Sequence, residues 1–195
     1  MEQIRSFIAI ELPDELKPEL VELQARLKTA DPGGVKWVDP QGIHLTLKFL
    51  GNIAADRTGD IIRAMNEAAR GIPPFQLTIG GLGVFPNPRR AQVAWVGLSG
   101  QVDKLARFQA QLEASLARLG FAPETRPFSP HLTLARLRPQ ASPAERQSLG
   151  QLIISTRFAS SYPIVVTAIN LMRSQLTRQG AIYSQIGSVE LKSGK

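Results

Sequence analysis

The sequence contains two histidines, and each opens the same tetrapeptide. His44-Leu45-Thr46-Leu47 and His131-Leu132-Thr133-Leu134 stand almost half a chain apart. In a β-strand, successive side chains alternate faces, so each copy presents one imidazole and one hydroxyl together while its leucines pack on the other side. Two such strands facing one another across a cleft would place an imidazole on either side of a bound group. That is the arrangement an in-line phosphoryl displacement needs: one histidine takes a proton from the attacking water, and the other gives one to the departing oxygen. An imidazole titrates near pH 6.5, so one neutral and one protonated ring can coexist near neutrality. Each positioned proton transfer is worth about 100-fold to 10,000-fold in rate. The two hydroxyls add donors for the non-bridging oxygens, where charge builds up. A lone strand histidine is more often a packing residue, and threonine is simply a good strand former. Packing gives no reason, however, for confining all the histidine of a chain to two copies of one tetrapeptide.

Strands and helices alternate around these motifs. Arg5 to Leu12 reads as a buried strand. Pro13 and the stripe Leu16, Leu20, Leu23 and Leu27 follow as an amphipathic helix ending before Asp31-Pro32-Gly33-Gly34. Ile43 to Leu50 reads as a strand closed by Gly51, and Asp60 to Arg70 as a helix. Phe75 to Ile79 and Gln92 to Leu98 read as strands separated by a glycine- and proline-rich loop, Gly80 to Arg90. A third helix is expected over Gln101 to Leu119, with Gly120 at its C-cap. Ser142, Pro143 and Glu145 spell a capping box for a fourth, which runs to about Ile154. Pro163 to Arg173 and Ala181 to Leu191 complete the pattern as strands.

Composition excludes much other chemistry. The chain has 195 residues, 43% hydrophobic and 20% charged, as a single globular domain does. It has no cysteine, which rules out disulfides, cysteine-ligated zinc, iron–sulfur clusters and a thiol nucleophile. Two histidines also argue against a multi-histidine metal site, so neither metal nor cofactor is expected. The 23 Lys+Arg exceed the 16 Asp+Glu to give a net charge of +7, which suits a polyanionic partner. No apolar run is long enough to span a bilayer, and the N-terminus lacks a cleavage signal. The protein is therefore read as soluble, cytoplasmic and monomeric.

The paired H-x-T-x motifs resemble those of the 2H phosphoesterase superfamily. The segments RSFIAIELP, WVDPQGIHLTLKFLGNI, GVFPNPRRAQVAWVGL, FSPHLTLARL and LMRSQLTRQGAIYSQI are similar to the RNA 2′,3′-cyclic phosphodiesterase family, once described as 2′-5′ RNA ligases. The resemblance runs through nearly the whole chain. It implies an α+β fold of two pseudo-symmetric lobes. Each would be a mostly antiparallel sheet with helices on its outer face, and together they would enclose a central basic cleft. It also implies opening of a terminal 2′,3′-cyclic phosphate on RNA to leave a 2′-phosphate, with His44 as proton donor to the leaving 3′ oxygen and His131 as the base.

Further residues are candidates around that site. Lys48, two positions past Thr46, shares its face in a regular strand and could reach a phosphate; the alternative is a solvated strand end. Arg136, five past His131, is out of phase with the His/Thr face unless the strand bulges, yet the family places a basic residue here near the phosphate. Phe7 and Tyr183 could stack on the terminal base, although core packing competes for Phe7. Ser174 matches a family position and is a candidate to contact phosphate, and Arg89, Arg90 and Arg126 are candidates for a basic rim. Ligation of tRNA halves, hydrolysis of another nucleotide phosphodiester, and non-catalytic binding of RNA ends are the competing readings.

Overall fold

Each HLTL strand is the innermost strand of its own half of one antiparallel sheet. The computed structural model describes residues 2–178 and 180–192. In chain order the elements are β1 (Gln3–Glu11), α1 (Lys17–Lys28), β2 (Val35–Trp37), β3 (His44–Ala54), α2 (Thr58–Ala68), β4 (Phe75–Phe85) and β5 (Val93–Gly100). They continue with α3 (Val102–Ala117), β6 (His131–Leu137), α4 (Pro143–Ser155), β7 (Ala159–Val166), β8 (Ala168–Thr177) and β9 (Gly180–Glu190). The sheet order is β7-β4-β5-β6-β3-β1-β8-β9, with short β2 alongside β6. The seam between the lobes is the β3–β6 contact, where Leu45 pairs with Leu132 in antiparallel register. Two identical tetrapeptides paired antiparallel through their second residues are related by a local twofold axis. The expected pair of pseudo-symmetric lobes is therefore built around the motifs themselves.

The lobes are not the two halves of the chain. One lobe joins β1 and β3 to β8 and β9 from the far end of the sequence, and the other joins β6 and β7 to β4 and β5. The helices are shared in the same crossed manner. Gln24 on α1 donates to the Leu134 carbonyl of β6, and Glu113 on α3 is ion-paired with Lys48 of β3. Each HLTL strand is thus tied to the helix that precedes the other one.

The four predicted helices form, and the stripe of the first buries as expected. Leu16, Leu20, Leu23 and Leu27 are all within 1% of full burial. The Ser142 capping box is complete, with Ser142 Oγ accepting from Glu145 N and Ser142 N donating to Glu145 Oε2. Gly120 follows α3 at φ +87°, the left-handed conformation that glycine adopts without penalty. Leu45, Leu47, Leu132 and Leu134 join one continuous core beneath the sheet.

Three strand expectations change. β3 continues through Gly51 to Ala54, with Gly51 at φ +72° where the pairing with β1 shifts register. The stretch expected as a loop after Ile79 is mostly strand: β4 runs to Phe85 through a register shift between Ile79 and Leu82. Glycine is required there for close approach, because a Cβ on Gly83 would lie 2.2 Å from Cζ2 of the paired Trp95. Gly83→Ala is therefore expected to displace Trp95 and destabilise the fold by about 1–3 kcal/mol, read as a lower chemical-denaturation midpoint. Finally, the single strand expected over Pro163 to Arg173 is two, β7 and β8, pairing with β4 and β1 in different lobes.

Candidate active site

A cleft of about 1180 Å³ lies over the seam, on the sheet face opposite the core. Its lining includes His44, Thr46, His131 and Thr133. All four are half-buried, whereas the leucines between them are 0–3% exposed, so the alternation expected of the tetrapeptides holds in both copies. Continuing the Leu45↔Leu132 register sets His44 across from Thr133 and Thr46 across from His131.

The two imidazoles are held identically. His44 Nδ1 lies 2.7 Å from the Gly42 carbonyl oxygen, and His131 Nδ1 lies 2.7 Å from that of Ser129, in each case two residues upstream. A carbonyl only accepts, so Nδ1 carries the proton and Nε2 of the neutral ring is left as the acceptor. Burial lowers the pKa of both rings below the usual 6.5, against the opposing pull of these carbonyls. For His131 the nearby Arg136 guanidinium lowers it further.

The aromatic surroundings break the symmetry. His44 stacks on Phe7 at a centroid distance of 4.6 Å and meets Tyr183 edge-on at 5.0 Å. His131 meets Phe85 edge-on at 4.9 Å, with Trp95 at 6.4 Å. Phe85 and Trp95 are additions to the sequence-derived set, because the sequence pattern puts Phe85 in a loop. Phe7 is only 3% exposed and packs with Ala9, Met172 and Tyr183. Its face is covered by His44, so its position is that of a backing for the imidazole rather than a free stacking surface. Tyr183 is half-buried on the same cluster and pairs across β8–β9 with Ser174; both line the cleft.

A bulge in each motif strand decides which residue beyond the threonine reaches the cleft. In β6 the pairing with β5 passes from Thr133↔Trp95 to Ala135↔Ala94, leaving Leu134 as the extra residue. The phase reverses, and Arg136 comes onto the His/Thr face, exposed and lining the cleft. In β3 the pairing with β1 passes from Thr46↔Ala9 to Lys48↔Ile8, with Leu47 as the extra residue. The same reversal brings Phe49, 62% exposed, onto the cleft face and turns Lys48 inward. Lys48 is 4% exposed, its Nζ 2.9 Å from Glu113 Oε2 and 2.7 Å from the Ala122 carbonyl oxygen. Lys48 lines the cleft, as expected, but its ammonium is committed to these oxygens, and it is not a solvated strand end.

Arg126 lines the cleft, while Arg89 and Arg90 are exposed on the Pro88–Arg90 turn outside its lining. Among the described residues, no three acidic or histidine side chains gather as a metal-holding group. No helix among them is long and apolar enough to cross a membrane.

Comparison with known proteins gives the same duplication. The family model described as LigT like Phosphoesterase matches twice, over residues 10–95 and 96–183. The chain is 34% identical over 184 residues to the RNA 2′,3′-cyclic phosphodiesterase of Methanothermobacter thermautotrophicus, covering 94% of this chain and 97% of that one. Among solved structures, TT0787 of Thermus thermophilus superposes with a TM-score of 0.79 at 27% identity, covering 98% of this chain and all of that one. Escherichia coli LigT complexed with 3′-AMP superposes with a TM-score of 0.78 at 26% identity over 97% of this chain and 99% of that one. With one match for each HLTL strand and together spanning nearly the whole chain, the two repeats establish that this protein belongs to the LigT like phosphoesterase family.

Proposed function

We propose that this protein is a hydrolase of 2′,3′-cyclic phosphate ends on RNA and that it works by paired histidine acid–base catalysis. The observation that carries the mechanism is the pair of antiparallel HLTL strands. They set two imidazoles, each with Nδ1 fixed by a carbonyl, and two threonine hydroxyls on one face of one cleft. The relatives named RNA 2′,3′-cyclic phosphodiesterase support the substrate.

In this reading Nε2 of His131 takes a proton from water as the water oxygen bonds to phosphorus. The P–O3′ bond breaks, and protonated His44 delivers its proton to O3′, leaving a 3′-hydroxyl and a 2′-phosphate. Thr46 and Thr133 donate to the non-bridging oxygens, with the Arg136 guanidinium beside them for the accumulating charge. Burial biases both rings toward neutrality before a phosphate binds, which suits the base. The acid gains its proton when an anionic phosphate enters beside it, because a nearby negative charge favours the imidazolium. No step calls on a metal ion. Ser174 and Tyr183 line the cleft, with Tyr183 edge-on to His44; Tyr183 is assigned to the terminal base and Ser174 to the phosphate.

The test is incubation of the protein with a 2′,3′-cyclic-phosphate oligonucleotide in chelator, followed by identification of the product end. A 2′-phosphate at an undiminished rate is expected. A requirement for added metal would overturn the mechanism, and an unchanged cyclic end with intact RNA binding would favour a recognition protein.

A further inference from the structure

The carbonyl that fixes each histidine lies on the segment leading into its strand, so whatever holds that segment sets the ring. Ahead of His44 the holder is neutral. Gln24 Nε2 donates to the Val38 carbonyl at 2.7 Å and to that of Leu134 at 3.2 Å. Ahead of His131 the holder is charged: Lys48 donates to the Ala122 carbonyl and pairs with Glu113, with Glu124 Oε1 at 3.9 Å. Glu113 in turn accepts from the Glu124 backbone N–H at 3.4 Å and from Gln109 Nε2 at 3.2 Å. Within a few residues this anchored segment carries Arg126 into the cleft lining and presents the Ser129 carbonyl to His131.

A buried ion pair adds little stability over an apolar pair of similar volume, so stability alone gives no reason for a lysine here. What the pair does supply is direction. It ties the strand that bears Thr46 to the backbone that aims His131. We propose that Lys48 is a positioning residue, which with Glu113 holds the 122–129 segment so that Arg126 and His131 face the phosphate together. The proposal rests on the reading of His131 as the base. A displacement of about 1 Å in a reacting group costs on the order of 100-fold, so a small slip of this segment is enough to matter.

The test is the double variant Lys48→Met with Glu113→Gln, which removes both charges while the amide introduced on α3 can accept from the Glu124 N–H through its oxygen and donate to a reoriented Gln109 amide through its nitrogen. Lys48→Met alone is the second variant, since Glu113 keeps those donors. With only two histidines, ring-proton NMR gives two sets of signals, assigned by His44→Gln. Both variants are expected to unfold cooperatively as the parent does. They should lose about 10- to 100-fold in kcat on the cyclic-phosphate oligonucleotide, and KM should rise as Arg126 is displaced. The His131 signals should move while those of His44 stay. Wild-type kcat with unmoved His131 signals would overturn the proposal. If the parent protein fails to open the cyclic end but the His131 signals still move in the variants, the positioning role stands and the reading of the reaction falls.

Discussion

Replacing either His44 or His131 with alanine is expected to lower kcat on a 2′,3′-cyclic RNA end by about a thousandfold, with the thermal unfolding transition retained. The size follows from the loss of one positioned proton transfer. The fold survives because both rings are half-buried at the cleft and not part of the continuous core. The double variant should fall little below the poorer single one, because the two transfers act on one displacement and their losses do not add. Full activity in the double variant would remove the histidines from the mechanism.

The same pair predicts the pH profile. A base is active when neutral, and burial together with Arg136 keeps His131 neutral below pH 6.5, so the acid limb of kcat/KM should lie on the acid side of 6.5. His44, lowered by burial, titrates below 6.5 in the free protein, so kcat/KM should also peak below 6.5. The basic limb of kcat should lie higher, since it reports His44 beside the bound anion. Arg136→Ala should move the acid limb upward by removing the cation that disfavours the His131 imidazolium. Coincident basic limbs for kcat and kcat/KM would contradict the role given to the bound phosphate.

The candidate site is legible in the sequence because it is local and repeated: one tetrapeptide, period-two alternation, and no other histidine. The helices are legible for the same reason, since a leucine stripe and a capping box are short-range signals. What stays hidden depends on pairing between distant strands. Residue spacing suggests Lys48 for the cleft and not Arg136. The bulges at Leu47 and Leu134 bring Arg136 onto the His/Thr face and turn Lys48 under it, and a bulge is a property of two strands together. Phe7 reads as either a stacking aromatic or a core residue because nothing nearby in sequence says that His44 lies against it. The crossing of strands between lobes is equally out of reach, because β8 and β9 reach the first motif only through long-range pairing.

The bulges also give the two threonines unequal neighbours, and this yields the second large effect expected. Thr46→Val and Thr133→Val each remove one hydroxyl while keeping a branched strand former of similar shape at a half-buried position. Each should cost about 100-fold in kcat, as loss of one donor to a developing charge does, with little change in unfolding. The losses should differ. Beyond Thr133 the reversed phase places Arg136 on the same face, whereas beyond Thr46 it places Phe49, which carries no charge. A guanidinium can redirect a donor toward an oxygen left without its hydroxyl, and a phenyl ring cannot. Thr46→Val should therefore be the more damaging substitution, and in an Arg136→Ala background the two should converge. Equal losses in the parent protein would place the charged oxygens beyond the reach of Arg136. A larger loss for Thr133→Val would instead mean that Arg136 acts through Thr133, so that the two donors work as one unit on the side of the base.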